Sequence, residues 1–381
     1  MIHFFKRNFI NPLQEFIHDS RSIGIVLLTC TAFSIVLANS PFCMQYIRFW
    51  QLETPTANFL HLPLTFFDWI NDGFMSIFFF LVGMEIKREL INGELDSIRK
   101  SILPVVAAIG GMIFPAAIYL LLNFHTPTAG GWGIPTATDI AFSLGIASLL
   151  GSRVPIALKI FLTALAIIDD LGAILVIALF YGEAIHWIYL IADVVLVAII
   201  LFLNKALNKF GFVQIICGVL LWYCTYNSGI HPTISGVIFA FLVPKRYLTF
   251  IENKIHHAVY FIILPLFALA NTIIAFPGGG FSFLKEAMPL GIMLALCVGK
   301  PLGIVTTSFI IIKTKLADLP AKTNWKQLLG AGILAGIGFT MSIFIATLAF
   351  ASPYNQDIAK IAILISSFIS MILGYFWLKR N

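Results

Sequence analysis

Charge is scarce in this chain. Only 11% of its 381 residues are Asp, Glu, Lys or Arg, against about 25% in water-soluble domains. No stretch stays polar long enough to form a separate soluble domain. Cysteine is also sparse. The five thiols, Cys30, Cys43, Cys217, Cys224 and Cys297, lie mostly inside apolar runs. They have neither metal-ligand spacing nor a secreted disulfide pattern, so they read as packing residues. The N-terminus (MIHFFKRNFINPLQEFIHDSRS) lacks the apolar core of a cleavable signal peptide. What remains is oil: 59% hydrophobic residues and a mean hydropathy of +0.95. Those values fit a polytopic, all-α membrane protein and exclude a soluble enzyme.

Apolar runs predict twelve transmembrane helices. They fall at 22–39, 66–88, 102–123, 132–150, 155–181, 187–203, 211–225, 230–243, 257–276, 288–312, 327–350 and 357–378. The pI of about 9.0 invites a nucleic-acid reading, but the placement of the basic residues answers it. With twelve spans, all but four of the 24 basic residues fall on the side of the two termini. Arg48, Lys285 and Lys360 lie opposite, and Lys300 lies within a span. That asymmetry places both termini in the cytoplasm, and an eleven-span count would scramble it. The chain therefore reads as one transmembrane domain, 1–381, in contact with the lipid bilayer and with no call on nucleic acid. Residues 1–21 form a cytoplasmic segment in which Pro12 can start an amphipathic helix. Residues 40–65 form an extracytoplasmic loop. Its β-prone patch Tyr46–Leu52 reads either as a small hairpin or as an irregular loop.

Against this background two adjacent aspartates stand out. Asp169 and Asp170 interrupt the run Pro155–Tyr181 close to its middle. A carboxylate near the bilayer midplane costs about 2.5–3.5 kcal/mol on insertion scales, and residues kept at that cost mark ion or proton pathways. Adjacent residues on a helix point about 100° apart. The two carboxylates therefore do not face one point, and we expect Asp170 to face the ion path and Asp169 to be shared with Lys300. Two such acids titrate as a coupled unit. A site that holds either protons or a hard cation, but not both, exchanges one for the other by competition.

Two spans look interrupted. Span 132–150 carries Pro135, Thr136, Thr138 and Asp139. Span 327–350 carries Gly330, Gly332, Gly336 and Gly338, followed by Thr340 and Ser342. The glycines serve either close helix packing or unwound backbone, which survives at membrane depth only inside protein or beside water. The two spans are fourth and eleventh, so they run in opposite directions. Each is central in a triplet, spans 3–5 and spans 10–12. Interrupted segments at matching places in inverted-topology repeats point to a transporter's site, a pattern of which the antiporter family named next is itself a type example. If the breaks cross, two helix N-termini and two C-termini meet. Asp139 then balances the positive ends and Lys300 the negative ones.

Several stretches resemble the NhaA Na⁺/H⁺ antiporters of bacterial inner membranes. They are 69–90 (WINDGFMSIFFFLVGMEIKREL), 135–181 (PTATDIAFSLGIASLLGSRVPIALKIFLTALAIIDDLGAILVIALFY), 228–237 (SGIHPTISGV), 299–304 (GKPLGI) and 332–350 (GILAGIGFTMSIFIATLAF). The resemblance implies a pH-regulated, electrogenic secondary transporter of Na⁺ or Li⁺ against H⁺, not an enzyme, with no cofactor. It implies that Asp169 and Asp170 carry ion and proton, with Thr138 beside them. Asp139 and Lys300 correspond to the charges at the broken helices. Glu85, Lys87, Arg88 and Glu89, with Glu252 and His256 in a later loop, correspond to a charged cytoplasmic mouth tied to pH response, as does His231. The family is commonly homodimeric through the first external loop. Asp193 has no counterpart in that pattern and reads best as a snorkelling or water-contacting acid. His231 reads equally well as a helix-end residue paired to backbone.

Other classes fit less well. An intramembrane aspartyl protease follows its second aspartate on a Gly-x-Gly pattern, whereas Asp169 follows Ile168 and Asp139 follows Thr138. A midplane lysine has no role in that chemistry. A channel needs a continuous pore rather than a paired, buried site. An organic-anion symporter with crossed helices uses neutral Asn, Gln, Ser and Thr as Na⁺ ligands. Four midplane charges are too costly to serve helix packing alone.

Overall fold

The structure is a computed structural model that describes residues 20–54, 57–93, 98–182, 184–206, 210–275 and 280–381. Among these the chain is helical, with one isolated antiparallel bridge, Glu53 to Thr65. Helix is what a lipid-embedded backbone requires, because every N–H and C=O finds its partner within the segment. The expected N-terminal amphipathic segment falls, up to residue 19, outside the described residues.

Helix α1 (Ser20–Ala38) turns back by 120° into α2 (Cys43–Trp50). A π-helical turn, Trp69–Phe74, leads into α3 (Met75–Asn92), and α4 follows (Ile98–Asn123). A 3₁₀ segment, Ala129–Thr136, precedes α5 (Ile140–Leu149). Then come α6 (Ile156–Phe180), α7 (Trp187–Ala206), α8 (Phe212–Ser228) and α9 (Thr233–Leu242). Helix α10 (Leu248–Ala258) continues through a π-turn into α11 (Leu264–Asn271). The rest is α12 (Ala287–Leu294), α13 (Lys300–Lys313), α14 (Trp325–Ala335), α15 (Phe339–Ala349) and α16 (Pro353–Arg380).

Each apolar run of the sequence falls mainly on helix among the described residues, with breaks at 137–139 and 337–338. Six helical stretches among the described residues are long and apolar enough to cross a membrane, and eight if each bent pair is one span. Helices α8 and α9 are shorter apolar helices. Helix α9 packs along α3, and α13 packs along α4. The latter pair comes close because Gly110 faces Gly303, where an added Cβ would meet backbone oxygen at 2.2–2.5 Å.

The loop 40–65 is neither a hairpin nor irregular throughout. Its β-prone patch is the helix α2. Tyr46 and Trp50 lie one helical turn apart and both reach inward. Trp50 stacks on Phe66 with ring centroids 5.4 Å apart, and the Tyr46 hydroxyl donates to Leu269 O at 2.9 Å. These contacts outweigh β-propensity, which measures fit to a half-buried surface more than a backbone preference. The extended pairing that remains is short, with Thr54 N donating to Leu64 O and Phe66 N to Leu52 O.

Candidate functional site

Two breaks in helical structure meet in the interior. On one chain segment the 3₁₀ turns end at Thr136, three residues run extended, and α5 starts at Ile140. On the other, α14 ends at Ala335 and α15 resumes at Phe339, bent by 44°. Both breaks have local causes. Pro135 provides no N–H to the turn before it. Gly336 sits where a Cβ would lie 2.5 Å from Leu296 O, so only glycine fits that close approach.

The backbone groups freed at the crossing find partners on each other and on a few side chains. Asp139 N donates to Ile337 O at 2.7 Å. Asp139 then caps two helices at once. Its Oδ1 accepts from Phe142 N at 3.2 Å in α5, and its Oδ2 accepts from Thr340 N at 3.1 Å and from the Thr340 hydroxyl in α15. A carboxylate at two helix N-termini sits where the dipoles favour negative charge. On the opposite ends, Ser342 Oγ donates to Ile134 O at 2.8 Å and Thr138 Oγ1 to Ala335 O at 2.9 Å, while Lys300 Nζ donates to Thr136 O. Asp139 therefore lies at two helix N-termini, and Lys300 at a carbonyl of the 3₁₀ segment.

Helix α6 brings Asp169 and Asp170 to this crossing, at 0% and 3% exposure. Lys300 is fully buried and pairs with Asp169, Nζ to Oδ2, at 2.9 Å. Its position follows from a π-turn, Ala295–Gly299, immediately before it. Pro301 offers no N–H to Cys297 O, and the helix widens there. Asp169 Oδ2 also accepts from Thr138 Oγ1 at 2.7 Å. The Oδ1 atoms of both Asp169 and Asp170 are buried and make no hydrogen bond. The neighbouring carboxylates have unequal surroundings all the same, because only Asp169 is held by a lysine and a threonine, both through its Oδ2. Carboxylate, hydroxyl and carbonyl oxygens are the donors a hard cation takes. Among the described residues no three His, Cys, Asp or Glu side chains converge as a resident metal centre.

The charged residues expected at the mouth separate into groups. Arg88 bonds Glu252 across from α3 to α10 and reaches Glu89 at 3.0 Å. His256 lies one turn further along the same element as Glu252, its ring tilted 47° against that of Tyr260 with centroids 4.5 Å apart. Glu85 lies one turn before Glu89 on α3. Lys87 points elsewhere and donates to Phe241 O and Val243 O, closing the C-terminus of α9. His231 is not part of this group. Its Nδ1 lies 2.8 Å from Thr233 Oγ1, its Nε2 lies 3.6 Å from Asp72, and its ring stands edge-on to Phe344.

Asp193 is a correction. It is 8% exposed, so it does not snorkel to water. Its Oδ2 accepts from Thr225 Oγ1 of α8 at 3.2 Å, and its Oδ1 is buried without a partner. Helix α7 has Asp193 and Ile200 as its buried residues and turns most other side chains outward. The acid faces α8, where the Thr225 hydroxyl bonds it. Asp72, beside His231, was not singled out by sequence reasoning, although it lies within a motif (WINDG) that already stood out. Ser367, whose hydroxyl accepts from Phe339 N at 3.2 Å, was also missed, because serines in the apolar run 361–370 carry no recognisable pattern.

The Na+/H+ antiporter 1 family model matches residues 14–378 of this chain. The chain is 46% identical over 372 residues to the Na(+)/H(+) antiporter NhaA of Flavobacterium psychrophilum, covering 96% of this chain and 95% of that protein. It is 45% identical over 385 residues to NhaA of Shewanella oneidensis, covering 97% of each. It is 45% identical over 381 residues to NhaA 1 of Clostridium beijerinckii, covering 97% of this chain and 95% of that protein.

Proposed function

The chain belongs to the Na⁺/H⁺ antiporter 1 family, and from that premise we propose that it is a secondary active antiporter of the bacterial inner membrane, exporting Na⁺ or Li⁺ in exchange for protons. One observation carries the mechanism: Asp169 and Asp170, buried beside two crossing broken helices, each have an Oδ1 with no hydrogen bond, while Lys300 and Thr138 hold Asp169, and not Asp170, through Oδ2. An unsatisfied buried oxygen costs about 1–3 kcal/mol or more. A proton or a cation relieves that cost, and the two exclude each other. Alternating exposure of the pair to the two faces then turns competition into exchange. Moving more protons than sodium ions per cycle makes the exchange electrogenic.

In this reading twelve helices cross the membrane with both termini in the cytoplasm. Spans 3–5 and 10–12 are inverted repeats, and their middle members carry the breaks. Asp169, Asp170 and Thr138 hold the transported ion as substrate. Asp139 and Lys300 balance the helix ends. Arg88, Glu89, Glu252, Glu85 and His256 form the cytoplasmic mouth that tunes the response to pH. His231, with Asp72, adjusts it from the other side. Two copies associate as a homodimer.

Inverted membrane vesicles holding a proton gradient test this directly. Added Na⁺ or Li⁺, but not K⁺, collapses the gradient, and Asp170→Asn abolishes the collapse. Full activity in that variant refutes the assignment.

A further inference from the structure

In an unbroken helix the N–H of Phe339 donates to the carbonyl of Ala335, four residues back. Here it donates instead to the hydroxyl oxygen of Ser367 on α16, at 3.2 Å. Ala335 O is thereby released at the end of α14, and it accepts from Thr138 Oγ1 at 2.9 Å. The same Thr138 oxygen lies 2.7 Å from Asp169 Oδ2. A threonine hydroxyl has one hydrogen, so two acceptors share a single donor. All four participating side chains or segments are buried, with Ser367 at 3%, Thr138 and Asp169 at 0%, and Ala335 at 0% exposure.

We infer that Ser367 is a positioning residue for the ion site: by taking the Phe339 N–H it holds the α14–α15 break open and keeps the Ala335 carbonyl on Thr138. The inference rests on the reading of Asp169, Asp170 and Thr138 as the ion site. The neighbouring serines do nothing comparable. Ser366 bonds back to Ala362 O in its own helix at 2.7 Å, and Ser370 reaches only the Cys297 sulfur. Ser367 alone of the three reaches the N-terminus of another helix. Without its oxygen the Phe339 N–H is buried and unpaired, and the acceptor in its own helical line is Ala335 O. Reclaiming that carbonyl straightens the break and withdraws an oxygen from beside Thr138. The structure thus links a residue on α16, the helix that follows the second broken segment, to the oxygens proposed to surround the cation.

The test is Na⁺/H⁺ exchange in proteoliposomes, with KM for Na⁺ separated from kcat. Ser367→Ala raises KM about fivefold, as expected for one lost hydrogen bond, and Ser366→Ala leaves KM unchanged. Ser367→Thr, which keeps the oxygen, restores it. Ser367→Cys, a weak acceptor of similar size, moves KM in the same direction by less, and it carries the test if the alanine variant does not fold. Thr138→Val raises KM alone, and adding Ser367→Ala to it changes little, because both act through one carbonyl. An unchanged KM in both Ser367→Ala and Ser367→Cys overturns the inference, as does a double variant whose effects multiply independently. Transport that survives Asp170→Asn overturns the ion-site reading itself, a separate result from either.

Discussion

Lys300 and Asp169 form a buried ion pair with no exposure on either side. Such a pair gains little over an apolar replacement, but removing one partner leaves an uncompensated charge and costs about 3–5 kcal/mol. Lys300→Met therefore lowers the thermal stability of the purified protein. Asp169→Asn added to it recovers part of the loss, because it neutralises the stranded carboxylate. Melting temperatures of the four proteins in one detergent close the cycle. Losses that simply add contradict the pairing. The same comparison separates the adjacent acids, because Asp170 has no partner to strand. That the two carboxylates point in different directions was legible in the sequence from helix geometry, and the Lys300–Asp169 pair agrees with it. Their company was legible in part. The lysine and the threonine stood in recognisable motifs, whereas Ser367 and Asp72 act through a backbone amide and a histidine that only the folded chain brings near.

At the scale of elements, the breaks decide where chemistry happens. Pro135 and the glycines of 327–350 announced both interruptions, because each residue type weakens a helix in a way readable from the chain alone. Gly336 marks the limit of that reading. The sequence left its purpose between packing and unwinding, and the structure assigns both, since the residue ends α14 while its Cα lies against Leu296 O. Gly336→Ala places a Cβ 2.5 Å from that oxygen. It costs about 1–3 kcal/mol as an overpacked substitution, seen as a lower melting temperature. Unchanged stability contradicts the tight approach. Helix α2 shows where local preference misleads. Aromatic and β-branched residues in YIRFWQL favour a strand, but Trp50 stacking on Phe66 and Tyr46 bonding to Leu269 O select a helix. Asp193 failed for a similar reason. An acid near a helix end usually reaches water, and nothing in the sequence places Thr225 of α8 against it.

Over the whole molecule, four of the least exposed charges gather at one place, while Asp193, Glu252 and Lys360 are buried elsewhere. Asp139, Asp169, Asp170 and Lys300 are each at most 3% exposed, and three of the four neutralise one another or the helix ends. In the proposed function the fourth, Asp170, gives the site its capacity for exchange, and the Arg88–Glu252 pair links α3 to α10. The central claim is that Na⁺ and protons compete for the aspartate pair. The most direct measurement is the half-saturating Na⁺ concentration in proteoliposomes as a function of pH, with the maximal rate determined at each pH. Competition predicts that it rises as pH falls, by about tenfold per unit for one competing proton on the acid side. A half-saturating concentration that stays constant, with the maximal rate carrying the entire pH dependence, contradicts the account.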